Sequence, residues 1–207
     1  MTRSRARSTA RARAWLARSV PAPPWALISI PLLVGAVDSI RTEPGRGDLG
    51  TALLDEPAHL ATALLLLLAC RRRISLVLVV GAALGACAID LDHLPAMLGQ
   101  VGLTEGTVRP YTHALPTLVA LLAGAVATRG ATRTGLLGAA LGFGSHLWRD
   151  MGTGGVALLW PLTRANVDLP YAAYFAAVLV SLLAALWPQL RARPGRAPSA
   201  PGFGLRR

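Results

Sequence analysis

Six apolar runs divide the chain: Trp25–Val37, Ala58–Cys70, Ile74–Ile89, Ala114–Ala127, Gly135–Trp148 and Leu169–Trp187. This repetition constrains the fold more than any single motif. A soluble domain hides its apolar residues behind polar helix faces, and these runs have none to offer. Only the last run nears the roughly 20 residues a spanning helix needs; the others hold about 13–16. Arg or Trp at their ends lets polar side chains reach the interface, which lengthens each effective span. With 53% hydrophobic residues and a mean hydropathy of +0.49, the pattern predicts an all-α, polytopic helical membrane protein of about six spans. The Gly, Ala and Ser residues of Gly81–Ala88 and Gly135–Gly144 predict close helix packing in lipid. The brief run Val156–Pro161 is too short to span and reads as interfacial or re-entrant.

The net charge of +11 comes from arginine, because the 207-residue chain has no lysine. Nucleic acid as a partner is excluded on pattern: no groove-reading motif accompanies the charge, and the arginines lie between apolar runs. With the N-terminus cytoplasmic, only Arg41, Arg46, Arg109, Arg149 and Arg164 fall outside, together with every acidic residue. That asymmetry supports both the span count and the direction. The domain organisation that follows is a basic disordered tail over 1–24, a helical membrane domain over 25–190 and a second basic disordered tail over 191–207. If Trp25–Val37 were instead the apolar part of a cleaved signal, five spans with the same orientation would remain. Cys70 and Cys87 lie inside apolar runs and read as small packing residues rather than a disulfide.

This orientation places His59, His93, His113 and His146 at one membrane face, the extracytoplasmic one. Ionisable groups at such depth are costly, so their assembly marks a functional site. His146 and Asp150 are four apart and share a helix face; Asp90 and His93, three apart, do so if the helix continues, with Asp92 pointing elsewhere. Imidazole nitrogens and carboxylate oxygens bind zinc, manganese or iron. Without thiolates the set does not look like a closed structural zinc site. Open N/O sites serve metal-assisted hydrolysis, in which a bound water's pKa falls to about 7. The candidate ligands are His59, Asp90, Asp92, His93, His113, His146 and Asp150, with Asp92 and Asp150 as catalytic carboxylates and Thr112, Ser145 and Thr153 as supporting contacts. The bland alternatives are interfacial histidines and a loop cap at Asp90-Leu-Asp92, or its pairing with Arg109.

The run from Ser145-His146 through Asp150, Thr153 and Gly155 to Trp160-Pro161 resembles the SHLxxDxxTxxGVxLLWP element of the YdjM-type inner-membrane metal-dependent hydrolases. Asp90-Leu-Asp92-His93-Leu-Pro95 is similar to that family's PDxDHxP element, Arg109-Pro-Tyr-Thr112-His113-Ala to its HRGxTHS element, and Asp55-Glu-Pro-Ala-His59 to its early histidine. The resemblance covers about residues 51–162 and implies a bacterial inner-membrane protein with a site built from His59, Asp92, His93, His113, His146 and Asp150. The chain departs from the pattern at Val108 (His in the family), Pro110 (Gly) and Ala114 (Ser).

The expected function is hydrolysis of an ester or phosphoester by metal-activated water, with a divalent ion (zinc first, manganese or iron next) and the lipid bilayer as partner and source of a lipid substrate. The rival from another class is a non-catalytic scaffold whose site has decayed, favoured by Val108 and Ala114. A metal or proton transporter is a third reading, and the confinement of acids to one face speaks against it. Oligomeric state is open.

Overall fold

The computed structural model describes residues 23–41, 49–70, 74–100, 102, 104, 107 and 109–191. Both basic tails, apart from their inner edges, and Val108 lie outside the described residues. Within the described residues the chain is helical: α1 (Pro24–Arg41), α2 (Leu49–Cys70), α3 (Leu76–Cys87), a 3-10 turn (Ala88–Asp92), the short α4 (His93–Met97), α5 (Leu115–Ala127), α6 (Gly130–Thr153) and α7 (Tyr171–Arg191). One isolated antiparallel bridge, Val156 to Val167, clasps the loop between α6 and α7.

The helices extend beyond the apolar runs at their polar ends. His59 therefore does not begin a helix; α2 starts ten residues earlier at Leu49 and carries Asp55, Glu56 and Pro57 inside it. Helical hydrogen bonds are made within the segment itself, so a polar turn can prolong a helix that packing holds. Likewise α6 starts at Gly130 and ends at Thr153, so His146 and Asp150 occupy its last two turns. Among the described residues, two stretches are suited by length and composition to crossing a membrane, Leu76–Pro95 and Tyr171–Arg191. The apolar helices Pro24–Ile40 and Leu115–Ala127 are shorter.

Small residues set the tightest contact. Leu78, Ala82 and Ala86 of α3 lie against Gly138, Gly142 and His146 of α6, so these helices run parallel. A Cβ added at Gly81, Gly85, Gly138 or Gly142 would strike the backbone of the facing helix. Backbones that approach this closely need glycine, as the small-residue pattern predicted. One consequence is positional: the C-terminal ends of α3 and α6 arrive side by side.

The remaining helices bring their opposite ends to the same place. Asp38 near the end of α1, and Asp55 and Tyr174 near the starts of α2 and α7, all meet Arg149 of α6. His113, just before α5, meets Asp90. Successive helices thus alternate in direction. Apolar packing among α1, α2 and α7 (Leu27, Val34, Ala58, Leu65, Val178 and their neighbours) forms a core beneath this end. Large apolar side chains such as Leu32, Leu84, Val126, Val180 and Leu183 face outward. Buried charge with exposed leucine is the arrangement a lipid surround favours.

Candidate metal centre

The four histidines form a row at that end of the bundle. The His59 and His146 rings stack with centroids 3.9 Å apart, His146 and His113 are 4.9 Å apart, and His113 and His93 are 5.2 Å apart. Carboxylates interleave them. Asp150 Oδ2 lies 3.0 Å from His146 Nε2, and its Oδ1 lies 3.5 Å from His59 Nε2. Asp90 Oδ1 sits centrally, 3.1 Å from His113 Nε2, 3.4 Å from His93 Nε2 and 3.6 Å from His146 Nε2. Among the described residues three overlapping groups could hold a metal ion: His59–Asp90–His146, Asp90–His93–His113 and His113–His146–Asp150.

Local structure explains how each group gets there. Past Cys87 the chain tightens into the 3-10 turn, whose three residues per turn stack Asp90 beneath His93. The tightening also turns Asp92 toward the site, against the expectation that it points elsewhere: its Oδ2 lies 3.3 Å from His113 Nδ1 and accepts a hydrogen bond from Thr112 Oγ1. On α6, His146 Nδ1 donates to the Ala86 carbonyl at 2.7 Å, which leaves the Nε2 lone pair aimed at the carboxylates. Below it the Asp150 carbonyl accepts from the N–H groups of Gly154 and Gly155. Gly155 makes this return with φ +79 beside Asp168, where a side chain would be strained and crowded.

Buried polar groups normally have partners, yet here many do not. Both nitrogens of His59, Nε2 of His93 and Oδ1 of Asp92 are buried without a hydrogen-bond partner, and Nε2 of His146, Nδ1 of His113 and both oxygens of Asp150 have only ion-pair neighbours at 3.0–3.9 Å. His59, His146 and Asp150 are fully buried. An unpaired lone pair costs about 1–3 kcal/mol, and several converging on one space fit a cation. Burial opposes a charged His113, but hydrogen bonds to Asp90 and Asp92 outweigh it and push its pKa up to about 9. A positive charge is therefore welcome between these carboxylates.

A second polar cluster adjoins the first and was missed by sequence reasoning. Arg149, counted there as an outer-face arginine, is 0% exposed. Its Nε and Nη2 donate to Asp55 Oδ1 at 3.2 and 2.5 Å, while Nη1 and Nη2 donate to Asp38 at 3.2 and 2.5 Å. Nη1 also donates to Tyr174 Oη at 3.1 Å, so all five guanidinium hydrogens are used. Tyr171 donates to Asp38 at 2.7 Å, and Thr62 shares a hydrogen bond with Tyr174. Asp55 joins the clusters, its other oxygen lying 3.5 Å from His59 Nε2. The available signal was an arginine one residue from a candidate ligand in an apolar helix.

The supporting residues divide. Thr112 touches Asp92, as expected of a supporting contact. Ser145 and Thr153 instead donate to Gly142 and Arg149 carbonyls of their own helix, and Ser145 lines an apolar cleft with Thr62 and Trp148. Arg109 pairs with Asp150 at 3.0 Å rather than with Asp90 or Asp92. Ala114, standing where the resembled pattern has Ser, is the buried N-cap of α5 and provides no side-chain cap.

A family model described as YdjM inner membrane protein matches residues 54–202. The chain belongs to that family, and Asp38 and α1 precede the matched residues. Neither the curated proteins nor the solved structures hold a match to it.

Proposed function

From this membership and the geometry of the histidine row, we propose a multi-pass inner-membrane hydrolase with a divalent-metal centre at the extracytoplasmic face. The N-terminus is cytoplasmic and about six helices cross, their alternating directions setting all four histidines at one end. The observation that carries the reading is the gathering of His59, Asp90, His93, His113, His146 and Asp150 into three overlapping groups. Within each group the donor atoms lie within 4.8 Å of one another, and several of them are buried without a hydrogen-bond partner. His59, Asp90, His93, His113, His146 and Asp150 would hold the ion, with zinc the best match to imidazole and carboxylate and manganese or iron next. Such an ion supplies Lewis acidity, polarising an ester or phosphoester and activating water.

The chain's own residues do the rest. Asp92 orients His113 through Nδ1, and its unpartnered Oδ1 would be the atom to hold a proton given up by water. Arg109, buried and touching Asp150, offers its unpartnered Nε–H to an anionic oxygen, which favours a phosphoester. The Tyr111 ring, next in sequence to Thr112, stacks on Trp160 and has the Arg164 guanidinium over it, an aromatic surface that suits a lipid substrate.

The test is metal analysis of the detergent-purified chain beside His146→Ala, with phospholipid and phosphodiester hydrolysis assayed on both. Stoichiometric zinc or manganese with hydrolysis, both lost in the variant, is the expected outcome. Absence of bound metal from the unaltered protein after refilling would sink the reading.

A further inference from the structure

We infer that the histidine row holds two cations, bridged by Asp90, and not one. The inference rests on the metal-centre reading and concerns how many ions the residues require. A tetrahedral ion takes four ligands, whereas six side chains supply donors here. No metal-capable group contains both His59 and His93, which lie at opposite ends of the row. One ion in the middle group, His113–His146–Asp150, would leave Nε2 of His59 and of His93 buried and unpaired. Each such orphan is costly.

Two ions remove the difficulty. The Asp90–His93–His113 group takes one, and His59–Asp90–His146 takes the other. Asp90 belongs to both groups, the position a bridging carboxylate requires. Asp150, against His146 at 3.0 Å and His59 at 3.5 Å, adds a carboxylate to the second ion. Asp92 lies on the far nitrogen of His113 and acts as its orienting partner. Asp90, Asp92 and Asp150 face Arg109 among the arginines paired here, because Arg149 is consumed by Asp38 and Asp55; two divalent ions would therefore leave the site net positive, as an anionic phosphoester substrate requires. Paired ions clamp the attacking and leaving oxygens of a displacement at phosphorus, which suits the phosphoester reading.

The full-length protein in detergent, stripped and refilled with manganese, provides the test. Elemental analysis should give about two ions per chain, and electron paramagnetic resonance should show an exchange-coupled pair. His93→Ala should retain about one ion with the spectrum of an isolated centre. Saturation of the unaltered protein at one ion, or a spectrum of uncoupled manganese at saturation, overturns the inference while leaving a mononuclear hydrolase standing. No retained metal overturns both. The spectrum of the unaltered protein decides the matter even if His93→Ala fails to fold.

Discussion

Two polar clusters share one end of the helical bundle, and they keep opposite accounts. Around Arg149 every guanidinium hydrogen has an acceptor, and both carboxylates that receive them come from other helices. Around the histidines, several nitrogens and oxygens are buried without a hydrogen-bond partner. A closed account describes a clamp, which ties α1, α2 and α7 to α6. An open one is what the proposed metal centre requires. Burial and charge alone would not separate the two; the count of unused donors and acceptors does.

The largest effect that could break this contrast is loss of the clamp. Arg149→Ala leaves Asp38 and Asp55 buried and uncompensated, so a loss of about 3–5 kcal/mol is expected. Thermal unfolding in detergent should show it with or without chelator; recovery of stability by added metal would contradict a purely structural clamp. Asp92→Asn should act on the other cluster. Affinity for the metal should drop about 10–100-fold as His113 loses its orienting partner. A titration by competition with a chelating dye measures it, and an unchanged affinity would remove Asp92 from the centre.

Proton release provides a subtler contrast. His113 in the metal-free protein carries a proton up to about pH 9 because Asp90 and Asp92 favour its charged form. A metal needs the neutral ring, so binding expels that proton and affinity should rise about tenfold per pH unit until pH nears 9, then level. The same raised pKa stabilises the metal-free fold at pH below 6.5, a contribution lost as pH climbs toward 9. Calorimetry in buffers of differing ionisation enthalpy should register the proton; no buffer dependence would place the metal away from His113. The smallest expected effect is at Ala114. Ala114→Ser offers α5 an N-cap oxygen, but the Thr117 N–H is already bonded to the Ala114 carbonyl at 3.1 Å, so the gain should stay well below the roughly 1 kcal/mol of a full cap. A loss of stability there would mean that the buried hydroxyl finds no donor.

Much of this architecture was legible in the residues. Each of the six apolar runs sits within or overlaps one of the six long helices, and the Gly81 and Gly135 stretches meet as small-residue patterns do. His59, His93, His113 and His146 were placed at one face by arginine asymmetry, and they are neighbours. The direction of Asp92 was not legible, because it depends on the switch from α to 3-10 after Cys87. The burial of Arg149 and its pairing were not legible, because its acceptors lie 94 and 111 residues away in sequence.

Helices and the meeting of the histidines followed from the sequence alone because hydrophobic length and flanking charge are local properties that can be read along the chain. Which polar groups are spent and which are spare was decided only by the tertiary structure. A lone pair is satisfied or orphaned by whatever stands within about 3 Å of it, and that neighbour comes from another helix.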